Sequence, residues 1–174
     1  AISASKKANL LNTRGHRFDA VFASDMLNLA DFIAFSAPEL QSVPKILYFH
    51  ENQLTYPCQS EDERDYNYGM INISSALSAH SVWFNSQFHK TSFLDAAEKL
   101  LKKMPDYNCL HVINDIDAKS HIVTPCIPRH GSKLPKKRRP LRITWAARWE
   151  HDKNPEDFFE AIRLLKSRNI DFTL

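Results

Sequence analysis

KILYFHENQ, residues 45–53, decides the fold. Its first six residues are a largely apolar run held between Pro44 and a polar turn, with the character of a strand buried on both faces of a parallel sheet. Similar segments recur on either side. Residues 18–24 (FDAVFAS), 81–85 (SVWFN) and 121–124 (HIVT) read as three further strands. Helical spacing fills the intervals: Leu27, Ala30 and Ile33 or Ala34 follow the first strand, and Met70, Ile73 and Leu77 share a face within residues 66–79. A longer helix begins after Ser86, which is placed to cap it, and carries Phe93, Ala97, Leu100, Leu101 and Met104 as its stripe up to Pro105. Short apolar strands alternating with helices make βαβ units, which predicts an α/β fold with a parallel sheet and helices on both of its faces.

The pattern breaks at residues 129–140 (RHGSKLPKKRRP), where glycine, two prolines and a basic run mark a linker. It restarts with a strand over 141–147 and a helix whose start signals are complete. Asn154 stands as N-cap, Pro155 at the first helical position, Glu156 and Asp157 in the first turn, and Phe158, Ile162 and Leu165 on one face. The expected organisation is a first α/β domain over 1–128, a basic linker over 129–140, and the opening β-α-β of a second domain over 141–174. The chain opens on Ala1 without a signal-peptide profile and closes on the strand-like IDFTL, so it reads as a piece of a longer protein. The alternative is a complete domain with a C-terminal edge strand.

Composition narrows the function. Of 174 residues, 43% are hydrophobic and 25% charged, ordinary globular values that exclude a disordered or collagen-like chain. No apolar run is long enough to span a bilayer. Lysine and arginine exceed aspartate and glutamate by only 23 to 20, so net charge does not by itself announce nucleic-acid binding. Cys58, Cys109 and Cys126 are odd in number and widely spaced, which argues against a disulfide framework or a zinc finger and fits the reducing cytoplasm. Only three glycines occur, where average usage predicts roughly a dozen. They leave neither a GxGxxG fingerprint nor a P-loop, so a bound nucleotide would have to be held by other means.

Two strand ends could carry chemistry. His50, Glu51, Asn52 and Gln53 follow the strand directly, at the carboxyl end where open α/β sheets bind ligands. A histidine there can donate or accept a hydrogen bond near neutral pH. It can equally be part of a polar loop, bonded to backbone; both readings stay open on the residues alone. A metal site is disfavoured, because no second His or Cys pair follows at ligand spacing. The second candidate is Arg148 with Lys153, two cations at the next strand-to-helix junction that could bind an anion without a glycine loop. Glu150 and Asp152 lie between them, so internal salt bridging is the competing reading. The acidic run 61–65 suits the helix dipole, and Asp115-Ile116-Asp117 is too short a match to a metal-binding DxD to carry weight. Lys133, Lys136, Lys137, Arg138 and Arg139 form the basic cluster, either a solvated linker or a contact for an RNA backbone.

The stretches KILYFHENQLTYP (45–57), ERDYNYG (63–69), VWFNSQFHKTSFL (82–94) and RWEHDKNPEDFF (148–159), with FASDMLNLADF (22–32), resemble the tRNA-queuosine mannosyltransferase family. These glycosyltransferase-like proteins are similar in turn to retaining GT-B glycosyltransferases. The resemblance covers nearly the whole chain. It implies two Rossmann-like domains facing a cleft, with mannose passing from GDP-mannose to the cyclopentenediol of queuosine in tRNA. His50 would face the donor sugar, with Glu51 beside it as a second catalytic residue. Arg148 and Lys153 would grip the donor diphosphate, Asn52, Gln53 and Ser86 would line the acceptor side of the cleft, and Lys133 to Arg139 would touch RNA. No metal or other cofactor is expected.

Two family parts are missing: the glycine-rich strand-loop expected ahead of residue 1, and a later glutamate-containing motif of the second domain. Transfer is therefore expected of a longer protein and not of residues 1–174 alone. No carboxylate pair suggests a double-displacement glycosidase, which agrees with a front-face retaining transfer assisted by the leaving phosphate. The rivals are a non-catalytic RNA-binding module built on the basic cluster, and a GT-B enzyme with a lipid or polysaccharide acceptor. The latter would show an amphipathic basic helix, which this sequence lacks.

Overall fold

The computed structural model describes residues 1–58, 60, 64–105, 107–127 and 140–174. The chain divides into two compact units, one formed by Ala1–Tyr56 with Arg64–Cys126, the other containing residues 140–174.

The first unit is built on four parallel strands, β1 (Val21–Ser24), β2 (Lys45–Phe49), β3 (Ser81–Phe84) and β4 (Ser120–Ile122), which lie side by side in chain order. The register sets Ala23 beside Leu47, Leu47 beside Val82, and Phe49 beside Phe84. Among the described residues this unit has six α-helices: α1 (Ile2–Thr13), α2 (Leu29–Ala34), α3 (Pro38–Ser42), α4 (Tyr66–Ser78), α5 (Gln87–Leu101) and α6 (His111–Ala118). Parallel strands added in sequential order by right-handed crossovers carry every connecting helix on the same face. Accordingly α1, α2, α4, α6 and α5 touch one another in a single continuous layer. The expectation of helices on both faces is corrected here for the described residues. The pattern of strands and helices did not contain the strand order, and the order decides the layering.

Under that layer Leu47, Phe49, Val82, Phe84, Phe93, Ala97 and Ile116 are fully or almost fully buried. Phe49 and Phe84 stack in parallel with ring centroids 5.0 Å apart, and Phe93 closes over both. Each such phenyl ring contributes about 1.5–3 kcal/mol relative to exposure. The opposite face of the sheet presents Phe22, Tyr48 and Trp83, with Phe22 60% exposed.

Three helices were not expected. α1 hides only Ser5, α3 is short, and α6 buries Val112 and Ile116 alone, one i,i+4 pair in a stretch that reads as polar. Two apolar residues are enough to seat a helix on an existing core but too few to show a period.

In the second unit, β5 (Leu141–Arg142) pairs in parallel with β6 (Phe172–Thr173), and α7 (Pro155–Ser167) connects them as a β-α-β unit. The strand expected over 141–147 is confined to its first two residues, since the ladder can extend only where β6 supplies partners. The start of α7 is as read. Asn154, at φ 49°, accepts from the Asp157 N–H, and Pro155 follows. Asparagine tolerates that left-handed conformation. Trp145, Trp149, Phe158 and Phe159 form an aromatic cluster against the helix.

Candidate active site

Register brings the residues after β1, β2 and β3 to one edge of the sheet: Asp25, His50 and Asn85. Asp25 is buried there. Its Oδ1 accepts the His50 main-chain N–H at 3.0 Å and lies 3.4 Å from His50 Nδ1. Its own N–H donates to the Tyr48 carbonyl, and its carbonyl accepts from the Asn72 amide. The two side chains differ sharply in exposure, 63% for His50 against 3% for Asp25. The imidazole also packs edge-on against Tyr48, 4.6 Å between centroids. With Nδ1 turned to the carboxylate, Nε2 is the nitrogen left for a ligand, the arrangement by which a second group sets the tautomer of a functional histidine. Such a group can exchange a hydrogen bond with a ligand hydroxyl.

The loop after His50 is anchored from within. Asn52 is 2% exposed; its amide donates to Thr55 Oγ1 at 2.8 Å and accepts the Thr55 N–H at 3.0 Å. Its side chain therefore holds the turn instead of facing a cleft. Gln53 is tied through its backbone, donating to Asn72 Oδ1 and accepting from Arg64. Glu51 is exposed beside His50. Leu54 sits against α4 at Gly69, where a Cβ would fall 2.3 Å from a Leu54 methyl carbon. Only glycine admits that close approach. Ser86 caps α5, accepting the His89 N–H and donating to Asn85 Oδ1, so its hydroxyl serves the helix start.

In the second unit Arg148 pairs with Glu150 at 3.0 Å, and Lys153 with Asp152. The competing reading of internal ion pairs is thus realised. Both cations remain substantially accessible; the exposed Arg148–Glu150 pair is worth about 0–1 kcal/mol, whereas Lys153 is held by an Asp152 side chain that is mostly buried. A polyanion near the α7 N-terminus could displace the exposed Glu150 from Arg148 at small cost. Lys133, Lys136, Lys137, Arg138 and Arg139 lie outside the described residues.

Residues 2–127 match the sequence model of the tRNA-queuosine alpha-mannosyltransferase N-terminal family. The chain belongs to that family. It is also 36% identical over 172 residues to a tRNA-queuosine alpha-mannosyltransferase of Drosophila melanogaster, an alignment that covers 91% of this chain and 45% of that protein. The chain thus spans about half the length of the curated relative it matches. No solved structure matches it.

In this member of the tRNA-queuosine mannosyltransferase family, four residues of the strand-end network went unnoticed in the sequence: Asp25, Asn72, Asn85 and His89. Asp25 and Asn85 each follow the last residue of a parallel strand, the same signal that marks His50. Their meeting depends on register, which the sequence does not display. Asp115 and Asp117 lie on α6, where Asp117 pairs with Lys90 at 2.6 Å. Residues two apart on a helix do not face each other, so the two carboxylates do not form a chelating pair. Among the described residues no group of three His, Cys, Asp or Glu side chains is arranged to hold a metal ion, and no helix is long and apolar enough to cross a membrane.

Proposed function

We propose that this chain forms the acceptor-side half, and opens the donor-binding half, of a retaining GT-B mannosyltransferase that moves mannose from GDP-mannose to the cyclopentenediol of queuosine in tRNA. The observation that carries this reading is an exposed His50 imidazole backed by the buried Asp25, at a strand-end edge, in a chain of this family. His50 hydrogen-bonds the donor sugar and Glu51 lies beside it. Gln53 borders the acceptor. Arg148 and Lys153 receive the diphosphate, exchanging their neighbouring carboxylates for phosphate oxygens.

The bond from mannose C1 to the diphosphate oxygen breaks, and the acceptor oxygen bonds to C1 on the same face. The hydroxyl proton passes to the departing phosphate, and GDP leaves. Charge building on that phosphate is met by the two cations, the electrostatic term that dominates such transfers. No protein nucleophile and no metal is required. The basic cluster from Lys133 to Arg139 contacts the tRNA backbone, a salt-sensitive attraction. Three cysteines without disulfide partners agree with work in the reducing cytoplasm.

The test is mannose transfer from GDP-mannose to queuosine-containing tRNA by the enzyme that contains residues 1–174, with ADP-mannose as control and the product anomer read by NMR. The expected product is α-linked, as the donor is. His50→Ala should lose most of the rate with little change in melting temperature, because its side chain is mostly exposed. A β-linked product, or a His50→Ala enzyme whose activity falls only in step with its stability, would overturn the reading.

A further inference from the structure

Behind His50 lies a polar pair that the transfer chemistry above does not use. Asn85 Nδ2 donates to the His50 carbonyl at 2.8 Å. A carbonyl can only accept, so the amide orientation is determined and Asn85 Oδ1 points the other way. That oxygen stands 3.1 Å from His89 Nδ1, with the Ser86 hydroxyl also donating to it at 3.1 Å. An amide oxygen cannot donate, so His89 Nδ1 carries a hydrogen. His89 is 8% exposed, and its ring meets Phe49 and Phe84 edge-on. Its Nε2 is buried with no hydrogen-bond partner among the described residues. An imidazolium would strand a second N–H among phenyl rings, so the neutral Nδ1–H form is the one this pocket holds. Burial accordingly pushes the His89 pKa down, with the nearby Asp25 carboxylate opposing.

We propose that His89 and Asn85 are positioning residues for His50: the buried neutral imidazole orients the Asn85 amide, and that amide holds the His50 carbonyl while Asp25 holds the His50 N–H. Both backbone groups of His50 are then gripped by side chains from the neighbouring strand ends, which fixes the point and direction from which the imidazole projects. A purely apolar residue at position 89 would fill the same volume against Phe49 and Phe84 without an unpartnered nitrogen. The cost of burying that nitrogen is explained if the Nδ1–H bond is what the position supplies. The assignment rests on His50 being the donor-facing residue.

Histidine-labelled protein tests the pair in two ways. Long-range proton–nitrogen NMR should show wild-type His89 as the Nδ1–H tautomer, with its Nδ1–H slow to exchange. His89→Leu keeps apolar bulk and removes the donor, whereas His89→Asn keeps an N–H near the place of Nδ1. His89→Leu should shift the His50 imidazole resonances and lower kcat by about tenfold to a hundredfold with KM nearly unchanged, as small misplacements do. His89→Asn should leave the resonances near their wild-type positions and restore most of kcat. Should His89→Leu fold poorly, Asn85→Asp serves instead: it can still accept from His89 but repels the His50 carbonyl, and the same resonances should move. An Nε2–H tautomer at His89, unmoved His50 resonances in His89→Leu, or equal losses in the Leu and Asn variants would overturn the assignment. If instead His50→Ala transfers at the wild-type rate, the functional reading fails. The His50 resonances would still report on the positioning.

Discussion

One oxygen of Asp25 serves His50 twice: Oδ1 accepts the main-chain N–H at 3.0 Å and faces the ring Nδ1 at 3.4 Å. The carboxylate follows β1 directly and the histidine follows β2, so the contact ties the ends of two adjacent strands together. It also divides the labour. Asp25 is buried and fixes geometry, whereas His50 is exposed and, on the proposed function, is the residue that meets the donor.

That division makes the two Asp25 variants differ. Asp25→Ala removes the acceptor of the His50 N–H and should destabilise the first unit by about 1–3 kcal/mol, the cost of a buried donor left unsatisfied. Asp25→Asn keeps an acceptor of the same shape but loses the charge facing the ring. It should cost little stability while lowering transfer by about tenfold or more, as expected when a catalytic histidine loses its orienting carboxylate. Urea melts of both variants beside their kcat values check this; equal stability losses would contradict it.

Gly69→Ala sets two effects against each other. Alanine favours a helix interior over glycine by about 1 kcal/mol. Here its Cβ would fall 2.3 Å from a Leu54 methyl carbon and push that side chain out of place. Overpacking of this sort costs about 1–3 kcal/mol, so net destabilisation is expected, together with displacement of the loop after His50. Adding Leu54→Ala should recover part of the loss specific to position 69. Additive losses in the double-mutant cycle would show that the two positions do not meet.

Acid should find His89. Burial lowers its pKa from the ordinary 6.5, with Asp25 working in the opposite direction. A depressed value in the folded state means that the unfolded chain takes up the proton first. The contribution to stability is therefore intact above pH 6.5 and is lost as pH falls from there through the folded value. The slope cannot exceed about 1.4 kcal/mol per pH unit for one group. His89→Asn removes the titrating ring, so the wild type should lose more stability than this variant between about pH 7.5 and about pH 5. Parallel pH profiles for the two proteins would count against a buried neutral imidazole.

On the proposed function, Arg148→Ala and Lys153→Ala should each cripple transfer, by about 2–5 kcal/mol where the phosphate charge left unpaired is desolvated. Arg148→Ala should leave folding nearly unchanged, because its pair with Glu150 is exposed. Lys153→Ala also takes a partner from the mostly buried Asp152 and should cost some stability as well. The same assay in excess EDTA should proceed unchanged if, as proposed, side chains and not a divalent ion meet the diphosphate. Activity abolished by chelation and restored by manganese or magnesium would replace the two cations with a divalent ion.

Much of this chain was legible before any coordinates. Strands β1 to β4, the stripe of α5 and the start of α7 all follow from periodicity and capping chemistry, because a buried strand or an N-cap states its requirements within a few residues. His50 stood out for the same local reason: polar residues directly after an apolar strand have nowhere to go but the sheet edge. The tertiary structure decided the rest. Strand order placed the helices in one layer, and register brought Asp25, His50 and Asn85 together from residues 25 and 35 positions apart. It also gave Asn52 and Ser86 to the loop and the helix cap, and showed Arg148 paired with Glu150. Such partnerships depend on the relative placement of elements distant in sequence, to which a local pattern of apolar and polar residues is blind.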